Sequence, residues 1–224
     1  MKPLVLLALV LSTFAALAVP PYLSQVQSDA ALVEIQRKVK ASTHVLYFAT
    51  LTTESNCSGT SIARHALLTA SHCEAPTDFI SIDGVPGYRV DSVIRDNNDH
   101  SILLIKAVDF KDFIVLGSRE LRESELVFIW GNPSLHGVVY IKQLHQGHYR
   151  AAHAFKGRIV DVLGFQSFQG DSGSGVFSAK GELLGVVSYV GNMPMPPEGH
   201  ISHATGAVRL AFTDADRRRA AEFK

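Results

Sequence analysis

The stretch FQGDSGSG (residues 168–175) crowds three glycines around one carboxylate and two hydroxyls. Glycine accepts positive φ and lets another backbone approach closely, so the stretch is typical of a tight turn. A serine held in such a turn exposes its hydroxyl, and the backbone N–H groups of Gly170 and Ser172 are able to point into one pocket beside it. That geometry suits an oxyanion hole, which needs two fixed donors where negative charge develops. Taken alone, the stretch is equally compatible with a hairpin turn or a linker.

A serine hydroxyl needs a neighbouring base before it acts as a nucleophile. His72 follows the apolar run LLTA (residues 67–70), so we expect it at the end of a buried strand. Asp99 precedes the second buried-strand pattern SILLI (residues 101–105) and is the candidate carboxylate that would orient the base. Asp96 is a neighbouring alternative for that role. The candidate residues therefore follow the chain order His72, Asp99, Ser172.

Three segments of the chain resemble motifs of the trypsin-like serine proteases, which have the chymotrypsin fold. TASHC (residues 69–73) matches the family's T-A-[AS]-H-C box, and GDSGS (residues 170–174) matches its G-D-S-G-[GS] box. DHSILL (residues 99–104) is similar to the family's D-[IL]-A-L-L segment. The order His, Asp, Ser is also that of chymotrypsin. The resemblance covers residues 43–212 and is closer to the short bacterial and viral members than to animal trypsins.

The resemblance implies a serine endopeptidase that acts on peptides or proteins and needs no cofactor and no metal. It makes His72, Asp99 and Ser172 the catalytic triad and gives the oxyanion hole to the N–H groups of Gly170 and Ser172. Cys57 and Cys73 would form the family's disulfide beside the histidine, and an even cysteine count in a secreted chain also favours one. Two free buried thiols are the alternative. The substrate-binding residues implied are Gln166, Ser167, Gln169, Ser188, Tyr189 and Val190.

Cleavage preference is partly readable from the same resemblance. Gln166 stands six positions before Ser172, where trypsin-type members carry an aspartate, and Val190 replaces a glycine that walls the pocket. Glutamyl-specific members place a histidine where this chain has Val187. We therefore expect a small or neutral residue before the scissile bond. The glycine–asparagine–proline turn at residues 131–133 is similar to one in HtrA-like and glutamyl-endopeptidase-like bacterial branches.

Asp171 has a family role that this sequence leaves without a partner. In animal trypsin-like enzymes the equivalent acid pairs with a freshly cleaved N-terminal amine after an I-V-G-G start. No such start occurs in this sequence. Asp171 must therefore find another partner or stay solvated.

Short runs of strand-forming residues between glycine, proline and aspartate turns predict an all-β fold. We expect two six-stranded antiparallel β-barrels around a catalytic cleft, with short N-terminal and C-terminal helices. The N-terminal helix is predicted over Ser28–Lys40, with Ser28 as N-cap, and either packs on the first barrel or is a propeptide. The C-terminal helix is predicted to follow a Thr213 cap. The predicted segments are a signal peptide (1–18), the N-terminal helical segment (19–42), the first barrel (43–116), the second barrel (117–212) and the C-terminal helix (213–224).

The chain starts with a basic residue, then an apolar run and a small-x-small end at residues 16–18, which predicts a signal peptide cleaved after Ala18. A retained membrane anchor is the alternative, although the run is short for a span. The 21 basic and 21 acidic residues cancel, which gives no reason to expect nucleic acid or an anionic membrane as partner. We expect a monomer, secreted to the extracellular space or periplasm. The alternative functions are a membrane-tethered processing protease of a viral or phage polyprotein and a non-catalytic protease-like binding protein.

Overall fold

A computed structural model describes residues 21–49, 54–74, 78–133, 142–155, 157–195 and 200–224. The predicted signal peptide lies outside the described residues. Within the described part of the chain, no helix is long and apolar enough to cross a membrane.

The first half of the chain forms a seven-stranded antiparallel sheet. Its strands are β1 (Thr43–Ala49), β2 (Glu54–Ala63), β3 (Ala66–Ala70), β4 (Phe79–Ile82), β5 (Val85–Arg89), β6 (Ser92–Arg95) and β7 (His100–Leu104). They lie in the order β5-β4-β1-β2-β3-β7-β6, so β3 is flanked by β2 and β7. Every residue of β3 and β7 is buried, which agrees with the apolar runs that make up most of each strand.

The second half forms a closed six-stranded barrel. Its strands are β8 (Leu126–Gly131), β9 (Gln143–Phe155), β10 (Arg158–Leu163), β11 (Gly175–Ser178), β12 (Leu183–Met195) and β13 (His200–Arg209). The barrel closes in the order β10-β13-β12-β11-β8-β9. The expected all-β fold of two β-barrels is thus confirmed, with the second barrel closed and the first half forming a curled half-barrel sheet.

The strand count of the first sheet differs from the expected six. The extra strand arises because β5 and β6 are separate strands, of which β5 pairs with β4 and β6 pairs with β7. The hairpin between β4 and β5 is formed by Asp83 and Gly84, both at positive φ (50° and 81°), as a type I′ turn requires.

The two halves share one hydrophobic core. Phe128 on β8 and Phe177 on β11 are buried in the same cluster as Leu67 and Leu103 of the first sheet. The two phenylalanine rings stack at 5.7 Å between centroids. The sheets are therefore packed face to face, and the loops at their common edge are held close together.

The N-terminal helix α1 (Pro21–Ala41) begins earlier than predicted, so Ser28 is not its cap. No helix-breaking residue follows Pro21, and proline is tolerated in a first helical turn. Val39 and Gln36 lie on the predicted inner face and are buried. The Trp130 indole N–H on β8 donates to the Gln36 carbonyl at 2.8 Å. The helix therefore contacts the second barrel as well as the first sheet.

The C-terminal helix α2 (Asp214–Glu222) begins as predicted. Thr213 and Asp216 form a reciprocal capping box, in which each side chain bonds the other residue's backbone N–H. The arginines of this helix are not simply a solvated face, because Arg217 donates to the carbonyls of Leu116 and Gly117 at 3.1 and 3.2 Å.

Candidate active site

His72 lies in a short 3₁₀ turn, Ser71–Cys73, that directly follows β3. Cys73 in the same turn forms a disulfide with Cys57 on β2, with 6.1 Å between their Cα atoms. The predicted disulfide is thus present, and it ties the histidine turn to the neighbouring strand. The His72 side chain is 43% exposed, so the imidazole faces the outside of the sheet.

Asp99 lies in the turn before β7 and adopts φ 71°, a left-handed conformation that aspartate tolerates better than most residues. Its backbone carbonyl accepts the Ser71 N–H at 2.9 Å. Its Oδ1 accepts the His72 backbone N–H and the Ser71 hydroxyl, both at 3.0 Å. Its Oδ2 lies 2.8 Å from His72 Nδ1. Burial raises the pKa of Asp99, but the hydrogen bonds from His72 and Ser71 outweigh burial and lower it overall.

Asp96, the alternative carboxylate, faces a different histidine. Its Oδ2 lies 2.6 Å from Nδ1 of His100 and also accepts the Ala211 N–H at 2.9 Å. The side chains of Asp96 and His100 are fully buried. The structure therefore brings Asp99, and not Asp96, to His72.

The glycine-rich stretch forms two successive turns. The Asp171 N–H donates to the Phe168 carbonyl, and the Ser174 N–H donates to the Asp171 carbonyl. The third residue of each turn is a glycine at positive φ: Gly170 at 96° and Gly173 at 85°. Type II turns have this arrangement, since their third position favours glycine.

The second of these turns is pressed against the strands that lead to His72. A Cβ on Gly173 would lie 2.1 Å from the Ser58 carbonyl oxygen and 3.1 Å from the Ala70 nitrogen. The Ser58 N–H donates to the Ser172 carbonyl at 2.8 Å, and the Gly173 N–H donates to the Val187 carbonyl on β12. Ser172 is thus held between the two halves of the molecule, and the next residue, Gly173, lies against the end of the strand that leads to His72.

The backbone donors proposed for the oxyanion hole are available. The Ser58 hydroxyl donates to the Gly170 carbonyl at 2.9 Å, which fixes the orientation of that part of the turn. Within the described residues, neither the Gly170 N–H nor the Ser172 N–H has a backbone or side-chain acceptor. Two unpaired N–H groups beside a partly exposed serine can bind an oxyanion.

The predicted substrate-binding residues lie on two segments of the second barrel. Gln166 and Gln169 are exposed, whereas Ser167 is buried and its hydroxyl lies 2.8 Å from the Thr205 hydroxyl, which itself donates to the Phe165 carbonyl. Ser188 occupies a bulge, where the register between β12 and β13 shifts. Tyr189 packs edge-on against Phe155, with 5.4 Å between ring centroids.

Val190 belongs to a part of β12 in which the structure does not describe the side chains. Of the predicted residues on the first segment, Gln166 and Gln169 therefore present exposed polar side chains, and Ser167 does not.

Asp171 is completely buried and faces His145 on β9. Asp171 Oδ2 accepts the Phe168 N–H at 2.8 Å and lies 3.5 Å from His145 Nε2. Burial raises the pKa of Asp171 to about 6, against the opposing effect of backbone hydrogen bonds from Phe168 and Asn132. Burial lowers the pKa of His145, and a hydrogen bond with the Gln166 backbone raises it by a smaller amount.

The family model of the trypsin-like peptidase domain matches residues 57–186, which include the histidine turn, Asp99 and the two glycine turns at residues 168–174. The chain belongs to the trypsin-like peptidase family. It is a serine-type endopeptidase, and its substrates are peptides or proteins. No curated protein matches the chain.

Solved structures of trypsin-fold proteases are similar to this peptidase. The active form of the Rv3671c protease from M. tuberculosis aligns with TM-score 0.63 and 18% identity over 87% of each chain. The HtrA-type protease AlgW with a tripeptide aligns with TM-score 0.62 and 20% identity, over 85% of this chain and 64% of its own. The serine endoprotease from Yersinia pestis gives TM-score 0.56 and 18% identity, over 80% and 62%. These likenesses support the fold.

His145 lies in no family motif, so the sequence does not identify it as a partner of Asp171. The turn at residues 131–133 resembles one in related bacterial branches, but that resemblance assigns it no role. A Cβ on Gly131 would lie 2.1 Å from Asp171 Oδ1, so this glycine makes room for the buried carboxylate. The signal in the sequence was Asp171 itself, an acid with no assigned partner.

Proposed function

We propose that this peptidase is a secreted enzyme that cleaves peptide bonds through a His72–Asp99–Ser172 triad and an acyl-enzyme. The observation that carries the proposal is the bond between His72 Nδ1 and Asp99 Oδ2, at 2.8 Å. It leaves the other imidazole nitrogen of His72 to act as the base. The unpaired N–H groups of Gly170 and Ser172 support the same proposal.

In the proposed mechanism His72 takes the Ser172 proton as the serine oxygen attacks the peptide carbonyl. The Gly170 and Ser172 N–H groups stabilise the negative oxygen of the tetrahedral intermediate. His72 then protonates the leaving amine, and water activated by His72 hydrolyses the acyl-enzyme. Asp99 holds His72 in the tautomer with Nδ1 protonated and stabilises its charged form. The four contacts of the Asp99 carboxylate and carbonyl to Ser71 and His72 support this positioning role.

We propose that the enzyme prefers a small or neutral residue before the scissile bond. The exposed Gln166 side chain carries no charge to attract arginine, lysine or glutamate. A peptide-library cleavage profile tests this preference, and a profile dominated by arginine, lysine or glutamate at that position would contradict it.

We further propose that the enzyme is exported with a signal peptide cleaved after Ala18 and acts as a monomer. The Cys57–Cys73 disulfide supports export, because disulfides persist in oxidising compartments. N-terminal sequencing of the mature protein should begin at Val19. An intact Met1 would instead favour a protease tethered to the membrane. Sedimentation of the purified protein tests the monomer.

The central experiment is labelling of the purified protein by a fluorophosphonate probe, which needs an activated serine. Wild type should be labelled and Ser172→Ala should not. Ser174→Ala is the matched control, because Ser174 lies in the same stretch but its hydroxyl is buried. Labelling that survives in Ser172→Ala, or a folded wild type that is not labelled, would refute the triad; the second result would favour a non-catalytic binding protein.

A further inference from the structure

Asp171 lies between the two proposed oxyanion donors, and its carboxylate points away from the cleft into the barrel. Oδ2 accepts the Phe168 N–H at 2.8 Å. Oδ1 is buried and has no hydrogen-bond donor within the described residues. It lies against Gly131, where any Cβ would collide with it at 2.1 Å. The carboxylate thus sits in a closed site that is shaped around it.

His145 is the titratable group that faces this carboxylate. Its Nε2 lies 3.5 Å from Asp171 Oδ2, and within the described residues it has no hydrogen-bond partner. The ring is buried between Phe165 and Phe168, with centroid distances of 6.3 and 6.0 Å. The bond to the Gln166 backbone holds the ring from its other side.

The pair is isolated from other charges. Among the described residues, no lysine, arginine or further carboxylate contributes to the electrostatics of either group. Burying a carboxylate that has no charged or protonated partner lowers the free energy of unfolding. One proton between Asp171 and His145 makes the pair neutral, whether it resides on the oxygen or on the nitrogen. Loss of that proton leaves a buried charge whose hydrogen bonds, among the described residues, come from the backbones of Phe168 and Asn132.

We propose that His145 is a positioning residue, which shares one proton with Asp171 and so holds the nucleophile turns with the Gly170 and Ser172 N–H groups directed into the cleft. This inference rests on the proposed function of those two groups as oxyanion donors. The histidine then performs, within the folded chain, the task that a cleaved N-terminal amine performs in animal trypsin-like enzymes. No proteolytic activation is required for it.

The pair gives the enzyme an alkaline limit. Asp171 alone has a folded pKa of about 6, above the ordinary value of a carboxyl group. Because either group can hold the shared proton, the pair loses it at a higher pH than Asp171 alone. Stabilisation from a raised pKa is present at lower pH and disappears as pH rises through the folded value. Fluorophosphonate labelling should therefore fall as pH rises past about 6, where Asp171 and then the pair lose the proton that supports the turn.

Two substitutions of His145 separate positioning from simple packing. His145→Gln keeps a side-chain N–H donor that does not titrate, so it should retain labelling at neutral pH and lose the alkaline fall. His145→Leu keeps bulk but removes the donor. It should lower kcat by about 100-fold, the scale of a lost oxyanion donor, with little change in KM. His148→Gln is the matched control, because His148 lies on the same strand and is exposed; its pH profile should be that of wild type.

The variant Asp171→Asn tests the same pair independently. It removes the charge, so urea unfolding of this variant should lose the alkaline decline that wild type shows, whether or not the variant is active. If wild type is labelled but His145→Gln and Asp171→Asn both keep the wild-type pH profile, the positioning role of His145 is overturned. The proposed triad is unaffected by that result. Absence of labelling in folded wild type would overturn the proposed function, and this inference with it.

Discussion

At the residue scale, the choice between two aspartates three positions apart decides the chemistry. Asp99 adopts a left-handed conformation that turns its carboxylate back towards Ser71 and His72. The Asp96 carboxylate instead bonds His100 and accepts the Ala211 N–H. Both aspartates are partnered by a histidine at short distance, so a histidine–aspartate bond alone does not mark a catalytic pair. The exposure of His72, against the complete burial of His100, distinguishes them.

We predict that Asp99→Asn lowers kcat on a peptide substrate by about 10⁴-fold, the loss that this change causes in a chymotrypsin-type triad. The new amide N–H would face His72 Nδ1 and favour the wrong tautomer. Steady-state kinetics near neutral pH measure the effect. Asp96→Asn is the control, and per folded molecule its labelling rate should stay near that of wild type. Equal losses in the two variants would contradict the assignment of Asp99.

At the element scale, His72 lies in a single 3₁₀ turn that follows β3 and ends at Cys73. The turn has no side-chain cap. Its position depends on the hydrogen bond from Ser71 to Asp99 and on the Cys57–Cys73 disulfide. The helix α1 is also structural, because Val39 is 1% exposed and its neighbour Gln36 bonds Trp130. These contacts favour packing over the propeptide alternative, and they bridge the two halves of the molecule.

We predict that the double variant Cys57→Ala/Cys73→Ala loses about 3 kcal/mol in free energy of unfolding, the value for a loop of roughly this size in the chain-entropy model. The bridge closes a loop with a sequence separation of 16. Urea unfolding monitored by tryptophan fluorescence measures the change. Wild type unfolded in reducing agent should match the double variant. An unchanged urea midpoint would show that the turn is held by its hydrogen bonds alone.

At the scale of the whole molecule, the site exists only where the two sheets meet. His72 and Asp99 come from the first sheet, whereas Ser172 comes from a turn of the second barrel. The two halves are in close contact at the site. Gly173 lies against Ser58 without room for a side chain, and the Ser58 hydroxyl donates to the Gly170 carbonyl. The core beneath is continuous, so movement of one sheet relative to the other would open both the core and the site.

The whole molecule also carries an acid-sensitive set of ion pairs. Burial raises the pKa of three aspartates that pair with histidines, but hydrogen bonds, foremost from the paired histidine, lower each pKa overall. A lowered folded pKa gives stability that is present above the unfolded value of about 4 and is lost as pH falls through the folded value. The three pairs are His44–Asp83, His72–Asp99 and His100–Asp96.

We predict that the free energy of unfolding falls steeply as pH is lowered from about 4. Urea unfolding at a series of pH values from neutral to strongly acidic measures the slope. Asp96→Asn should flatten it, since it removes one of the three titrating groups while leaving the other two. A free energy of unfolding independent of pH across this range would contradict the prediction.

The sequence by itself determined the features that depend on neighbouring residues. Glycine at two positions required positive φ and predicted the nucleophile turns, apolar runs predicted the buried β3 and β7, and Thr213 predicted the start of α2. These are local preferences of backbone and side chain, so short patterns are enough to show them. The family motifs added the order of the candidate catalytic residues.

Only the tertiary structure decided which distant groups meet. Residues that are remote in the chain carry no local mark of one another, so the pairing of Asp171 with His145 required the barrel that brings β9 beside the nucleophile turns. The same holds for Asp99 over Asp96, because the choice depends on which loop faces Ser71 and which faces Ala211. It holds also for α1, whose amphipathic face identified a buried side but not the two surfaces that cover it.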